Sequence, residues 1–240
     1  MYQVDLKEKF KLIKPRENGG SMVSNRFDFQ KNWAICKLIE LAKSNADFVL
    51  AFEYHEDIII LDSSENAKII DFFQIKTKNK GKFSLKDLLK RTKSSDGEGS
   101  SILGKLAFNK INFTDNARRL NIVSNTDYNL STNEKDKIYF CCNELPEEDK
   151  IKIAQQLKLE LGSNWVNEFI DTIFFYSSEL TINHHNEITK DKLNRLIEVL
   201  YSSDVKYNPS LAYRTIFDEV NRRNNIEKPI NNFEELIKYK

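Results

Sequence analysis

Residues 48–77 read FVLAFEYHEDIIILDSSENAKIIDFFQIKT, and their pattern indicates the centre of a β-sheet. The stretch contains three apolar segments of strand length, at 48–53, 57–61 and 69–77, which are rich in β-branched and aromatic residues. Short polar connections separate them, and such connections can join antiparallel strands but are too short for parallel crossovers. We therefore predict an antiparallel meander, with the almost wholly apolar third segment as a central strand of a larger sheet.

Helical and strand patterns alternate on both sides of this meander. Apolar residues at helical spacing predict a helix over 26–43, with Asn25 as its N-cap. Ser84 and Asp87 form a capping-box pattern at the start of a helix that ends near residue 91. A helix over 102–112 and strands over 119–124 and 137–141 follow. This order predicts an α/β fold in which helices flank a mixed sheet.

The pattern changes after Pro146. Only helical periodicity follows, over 147–161, 165–175, 189–202 and 211–223, and a last helical turn begins near residue 232. We therefore divide the chain into a core at 1–145 and a helical C-terminal section at 146–240. That section either completes the domain or mediates assembly.

The bulk composition is that of an ordinary globular protein. The 240 residues are 40% hydrophobic and 30% charged, with a net charge of +1. The three Cys form no CxxC pair or zinc-type cluster, and their scarcity suits a reducing cytoplasm. Residues 1–10 are too charged for a signal peptide, and no apolar run is long enough to cross a membrane. We expect a cytoplasmic protein that does not bind a membrane.

Asp57, Gln74 and Lys76 form the candidate reactive centre. Asp57 opens the second strand, and Gln74 and Lys76 lie on the third. Alternate residues of a strand share a face, so Gln74 and Lys76 should lie together, with Asp57 opposite Gln74 if the strands are hairpin neighbours. The Asp57 carboxylate, the Gln74 amide oxygen and the Ile75 carbonyl suit Mg²⁺, and Lys76 can orient a water or neutralise charge on a phosphate. The set predicts metal-dependent phosphodiester hydrolysis. The same spacing also arises by chance, and Asp57 would then cap a strand beside a solvated sheet face.

Basic residues are concentrated after this centre. Between residues 74 and 93 there are eight Lys and Arg and one acid. Lys78, Lys80 and Lys82 could hold a DNA backbone without reading its sequence. Arg26 and Gln30 are four apart on the first helix, so both could face the substrate. The alternatives are a merely solvated charged surface and structural hydrogen bonds to the adjacent loop.

Four segments carry a family resemblance: PRENGG (15–20), NRFDFQKNWAICKLIEL (25–41), FEYHEDIIILD (52–62) and KIIDFFQIKTK (68–78). In this order they resemble the N-terminal nuclease domain of the CD-NTase-associated effectors of CBASS antiphage systems. Related domains occur in Lamassu-like and HerA-associated defence systems. The family is similar to the PD-(D/E)xK superfamily, in the variant where Gln replaces the second acid. The resemblance implies a restriction-endonuclease-like fold.

The resemblance also implies roles for individual residues. Asp57 would be the main metal ligand, Gln74 would replace the second acid, and Lys76 would be the catalytic lysine. The cofactor would be Mg²⁺, with Mn²⁺ able to substitute.

A further ligand is implied from the first helix or its surroundings. Gln30 is the leading candidate there, and Glu17 and Glu40 are weaker ones. Glu53 and Glu56 flank the turn before Asp57, and either could contribute.

The implied function is cleavage of double-stranded DNA by an antiphage effector. We expect its activity to depend on assembly, through a sensor domain or partner protein, as a homo-oligomer. Two alternatives stay open. One is an RNase or nickase that uses the same centre, and the other is a catalytically silent scaffold or nucleic-acid-binding subunit.

Overall fold

The structure, a computed structural model, describes residues 19–44, 47–94, 97–132, 137–201, 206–230 and 232–239. Its strands are β1 (Val49–Tyr54), β2 (Glu56–Leu61), β3 (Ile70–Lys76), β4 (Phe83–Ser84), β5 (Lys93–Ser94), β6 (Gly97–Glu98), β7 (Ala117–Ser124), β8 (Tyr128–Asn129), β9 (Tyr139–Cys141) and β10 (Ile173–Ser177). Its α-helices are α1 (Gly19–Lys43), α2 (Leu85–Leu89), α3 (Ile102–Phe113), α4 (Glu147–Leu161), α5 (His185–Leu200), α6 (Pro209–Asn224) and α7 (Phe233–Tyr239). Three 3₁₀ segments span Cys142–Glu144, Gly162–Asn164 and Asn167–Thr172.

Six of the strands form a mixed sheet in the order β1-β2-β3-β7-β10-β9. β1, β2 and β3 pair antiparallel, which confirms the predicted meander. β3 then pairs parallel with β7, and β7 parallel with β10, while β9 is antiparallel to β10. β3 is therefore a central strand, as predicted, and the predicted α/β class with a mixed sheet and flanking helices is confirmed.

The sheet separates two apolar cores because successive residues of a strand point to opposite faces. Ile58 and Phe73 belong to one core, where they lie with Phe29 and Trp33 of α1 and with residues of α5 and α6. The next residue of β2, Ile59, belongs to the other core, which contains residues of α3 and α4. α1 and α3 therefore cover opposite faces of the same strands.

One predicted helix is wrong. Within the interval 165–175, the structure has the 3₁₀ segment Asn167–Thr172, followed by the start of strand β10. The side chains of β10 alternate between buried and half-buried positions, as expected of a strand between β7 and β9. The section predicted to be helical thus contributes a strand, and the sheet includes residues from both sides of the division between 145 and 146.

The predicted start of the first helix is also wrong. α1 begins at Gly19, so Asn25 lies inside the helix and does not cap it. The Asn25 side chain instead donates a 3.0 Å hydrogen bond to the Ile182 carbonyl and lies 2.9 Å from Nε2 of His185. Asn25 therefore joins α1 to the start of α5.

The other local predictions are confirmed. Ser84 and Asp87 form the predicted capping box at the start of α2, although that helix ends at Leu89. α3 and α4 match their predicted intervals closely, and α5, α6 and α7 lie near theirs. Within the described ranges, no helix combines the length and apolar character needed to cross a membrane.

Candidate active site

The start of β2 and the end of β3 meet at one edge of the sheet. Their antiparallel ladder runs as far as Ile58 opposite Phe73, so Asp57 and Gln74 occupy the next position along the two strands. There the Ile75 backbone N–H donates a 2.6 Å hydrogen bond to Oδ2 of Asp57. The N–H and C=O of one strand residue point to the same neighbouring strand, so the Ile75 carbonyl also points towards β2.

Asp57 and Lys76 line a cleft of about 330 Å³, which we call the Asp57 cleft. α1 forms its other side. The complete lining is Val23, Arg26, Phe27, Gln30, Asp57, Ile75, Lys76 and Thr77. The structure therefore brings together the predicted acid, the predicted lysine and both polar candidates from the first helix.

Gln30 connects α1 to the turn that precedes Asp57 through two hydrogen bonds. Its buried amide nitrogen donates 2.9 Å to Oε1 of Glu53 and 3.3 Å to the backbone carbonyl of Asp57. In this turn Glu53 and His55 have positive φ values of 47° and 64°, which non-glycine residues seldom adopt. Such backbone strain is concentrated at functional sites, where the surrounding structure maintains it. The Gln30 amide therefore links Glu53 to the backbone of Asp57.

Gln74 lies in an adjoining cleft between the sheet and α3. Its side chain is only 5% exposed, and its Oε1 is buried without a hydrogen-bond partner. Glu56 and Asn109 line the same cleft, and the Asn109 amide donates 2.9 Å to Oε1 of Glu56. Gln74 therefore lies in the cleft of Glu56, whereas Asp57 and Lys76 share the other, so the structure does not bring Gln74 and Lys76 into one cleft as predicted.

The two acids at the start of β2 are held in an environment that disfavours negative charge. Burial raises the pKa of Glu56 to about 7, repulsion from Asp57 adds to the rise, and attraction to Lys76 opposes it. Burial also raises the pKa of Asp57, against the effects of Lys76 and of the Ile75 N–H. A further positive charge would stabilise both carboxylates.

The oxygen atoms near these strand ends are of the kind that a hard divalent cation such as Mg²⁺ prefers. Asp57 and Ile75 line one cleft, and Glu56 and the unpaired amide oxygen of Gln74 lie in the other. Across the described ranges, no three His, Cys, Asp or Glu side chains come together as a metal site. A cation here would therefore need amide or backbone oxygens in addition to the two acids.

The three lysines that we predict to contact DNA differ in the ion pairs that they form within the protein. Lys78 is held by the protein, since its ammonium contacts Oδ2 of Asp87 at 2.7 Å and lies over the ring of Phe83. Lys82 is exposed and pairs with Asp127 at 3.1 Å. Lys80 is exposed, and among the described residues it forms no ion pair. Lys80 is therefore the most available cation of the three.

Two weaker ligand candidates lie elsewhere. Glu40 is exposed near the end of α1 and pairs with Lys37 at 2.9 Å. Glu17 lies outside the described residues.

Asn109 is a site residue that the sequence did not reveal. It is buried on α3 and fixes one oxygen of Glu56. Local patterns contain no signal for this contact, because it depends on how α3 packs against the sheet. Among the acids near the turn, only Glu56 lies with Gln74 in one cleft.

A family model, a related protein and a solved structure are similar to this chain. The family model described as "Cap4, dsDNA endonuclease domain" matches residues 18–224. The Lamassu protein LmuA of Bacillus cereus (strain VD014) is 27% identical over 187 residues, which are 76% of this chain and 49% of that protein. A solved structure, the Moraxella osloensis Cap4 SAVED/CARF-domain containing receptor, aligns with a TM-score of 0.44 and 12% identity, over 82% of this chain and 43% of that one.

The matches cover most of this chain but only part of each relative. The chain spans about half the length of the relatives that it matches. The family model, in contrast, covers most of the chain, and this confirms the resemblance to the nuclease domain of antiphage effectors. The chain belongs to the Cap4 dsDNA endonuclease domain family.

Proposed function

We propose that this chain is the nuclease domain of an antiphage effector and hydrolyses phosphodiester bonds of double-stranded DNA with Mg²⁺. One observation carries the proposal. The Gln74 amide oxygen is buried without a hydrogen bond at the strand ends that also hold Asp57 and Glu56. A buried acceptor left unpaired costs about 1–3 kcal/mol, and a bound cation would satisfy it.

Asp57, Gln74 and the Ile75 carbonyl would hold the metal ion. Glu56, in the cleft of Gln74, and Gln30, in the Asp57 cleft, could supply additional oxygens. When bound, Mg²⁺ would neutralise charge on the scissile phosphate and lower the pKa of an attacking water. Mn²⁺ accepts similar oxygen ligands and would substitute.

Other side chains of the Asp57 cleft would orient the attacking water and bind phosphate groups. Lys76 would orient the attacking water or neutralise charge that develops on the phosphate. Arg26, which is exposed in the same cleft, would hold a neighbouring phosphate as a charge-assisted hydrogen-bond donor. Gln30 is a positioning residue, because it binds the Asp57 backbone and Glu53.

We further propose that the nuclease acts as part of a larger assembly. LmuA, the Bacillus relative, is named as a Lamassu protein and is about twice as long as the matched region. A nuclease that cuts any DNA must be held inactive until it is needed. Contact with a sensor domain or a partner protein, in a homo-oligomer, would supply this control.

A panel of nucleic acids tests the activity. Duplex DNA, single-stranded DNA and RNA of matched sequence are incubated with Mg²⁺, with Mn²⁺ or with a chelator. We expect cleavage of duplex DNA on both strands, with either metal and not with the chelator. Faster cleavage of RNA, or nicking of one strand only, would favour the alternative reactions. DNA binding without cleavage under every condition, and unchanged by Lys76→Ala, would instead identify a silent subunit.

A further inference from the structure

The first turns of α1 present an apolar surface next to the Asp57 cleft. Val23, Arg26, Phe27 and Gln30 follow the spacing of one helix face, and all four line the cleft. Further along this face, Gln30 and Ala34 are buried. Val23 and Phe27, in contrast, are 50% and 48% exposed. The core-facing stripe of α1 therefore continues past the sheet and becomes a wall of the cleft.

The cleft combines two kinds of surface. Phe27 and Val23 contribute an aromatic ring and an aliphatic side chain, and Arg26 and Lys76 contribute two positive charges beside the single acid Asp57. A nucleotide has the same two parts, because a flat base and sugar are attached to an anionic phosphate. Every base offers a π face to an aromatic side chain, so such contacts tolerate any sequence. The charges of the cleft thus match a nucleotide better than the apolar surface of a protein partner.

We propose that the Asp57 cleft is a subsite for one unstacked nucleotide, with its base or sugar on the ring of Phe27 and its phosphates against Arg26 and Lys76. This inference rests on the proposed function, and it identifies the form of DNA that the site accepts. A base inside a duplex must leave its stack to reach the ring, and this costs less where the base is already unpaired. The chain should therefore bind locally melted DNA more tightly than a perfect duplex.

Binding of two duplexes tests the subsite. They share length and sequence on one strand, and one is fully paired while the other has a central unpaired bubble. Each is titrated with the 240-residue chain in a chelator, so that no cleavage occurs, and binding is followed by fluorescence anisotropy. We expect the wild type to prefer the bubble, and Phe27→Ala to lower this preference about fivefold, as loss of one base–aromatic contact should. Phe27→Trp should retain it.

The control variant is Tyr201→Ala. Tyr201 is an aromatic residue with 56% exposure just after α5, and it does not line the Asp57 cleft. Its loss should leave the preference unchanged. Phe27→Leu keeps an apolar side chain without the ring, so it should fold and should still lose the preference.

Each of the following results would overturn the inference. If the wild type binds both duplexes equally, or if Phe27→Ala and Phe27→Leu retain the preference, the subsite is wrong while the proposed function stands. If Phe27→Ala reduces self-association in sedimentation and leaves the preference intact, the ring contacts a second copy of the chain. If the wild type binds neither duplex in the chelator and also cleaves neither with Mg²⁺, the proposed function fails as well.

Discussion

The backbone N–H of Ile75 donates a 2.6 Å hydrogen bond to Oδ2 of Asp57. This bond joins β2 to β3 where their regular ladder ends, and so it fixes the acid beside the residues that follow Gln74. The N–H opposes the rise in the Asp57 pKa that burial causes, because it stabilises the charged carboxylate. The strand end therefore orients the acid before any metal ion binds.

Gln74→Met should stabilise the metal-free protein and abolish its response to Mg²⁺. The substitution removes a buried, unpaired amide oxygen and keeps a side chain of similar size. We expect a gain of about 1–3 kcal/mol in the free energy of unfolding, measured by urea denaturation in a chelator. Saturating Mg²⁺ should raise the thermal midpoint of the wild type and not of the variant. Equal shifts in both proteins would show that Gln74 is not a ligand.

Glu56→Gln should change how the stability of the metal-free protein depends on pH. The folded pKa of Glu56, about 7, lies above the ordinary value of 4.5, so the folded state holds the proton more tightly. The protonated Glu56 side chain therefore contributes to the free energy of unfolding. This stabilisation is fully present below pH 4.5 and is lost as the pH rises through 7.

The difference should be seen at pH 8 in a chelator. There the variant should be more stable than the wild type, by at most about 3 kcal/mol, and the two should converge in acid. A smaller slope should remain in the variant, because the pKa of Asp57 is raised as well. Parallel stability curves for the two proteins between acid and pH 8 would contradict the assignment.

Lys78→Ala and Lys80→Ala should affect different properties. Lys78 binds Asp87, which also caps α2, so its loss should lower the free energy of unfolding by about 0.5–1 kcal/mol. Lys80 is exposed, so Lys80→Ala should leave stability unchanged and weaken DNA binding, with a salt dependence reduced by about one counterion. Denaturation curves and salt titrations of DNA affinity measure the two effects. The reverse pattern would show that Lys78 is the DNA contact.

Gln30→Leu should slow DNA cleavage without unfolding the protein. The substitution removes the two hydrogen bonds that join α1 to Glu53 and to the Asp57 backbone. We expect a loss of about 1 kcal/mol in stability and a fall in kcat of about tenfold or more, because Asp57 is less well positioned. Ser24→Ala, on an exposed part of the same helix, is the control. A Gln30→Leu variant that cleaves at the wild-type rate would show that Gln30 does not position Asp57.

Much of the fold and the core of the site follow from local sequence. β1, β2 and β3 are consecutive, and their short connections favour antiparallel pairing, so the adjacent backbone positions of Asp57 and Gln74 could be predicted, although not the separate clefts of their side chains. The capping box of Ser84 and Asp87 is local for the same reason.

Longer-range relationships could not be predicted from these patterns. β10 is a strand because it lies between β7 and β9, and its aromatic residues alone are compatible with a helix. The extra turns of α1 begin at Gly19 and Gly20, which have low helix propensity. The placement of Gln74 with Glu56 and Asn109 depends on where α3 packs.

Plasmid cleavage by Asp57→Ala and Lys76→Ala tests the assignment of these two residues to the active centre. Both side chains line the Asp57 cleft, so each loss should abolish Mg²⁺-dependent cleavage while the thermal midpoint stays nearly unchanged. Glu40→Ala, on the exposed side of α1, should cleave like the wild type. If the wild type linearises the plasmid with Mg²⁺, and neither Asp57→Ala nor Lys76→Ala does, the centre is assigned correctly. Cleavage that survives both substitutions would show that the active centre lies elsewhere.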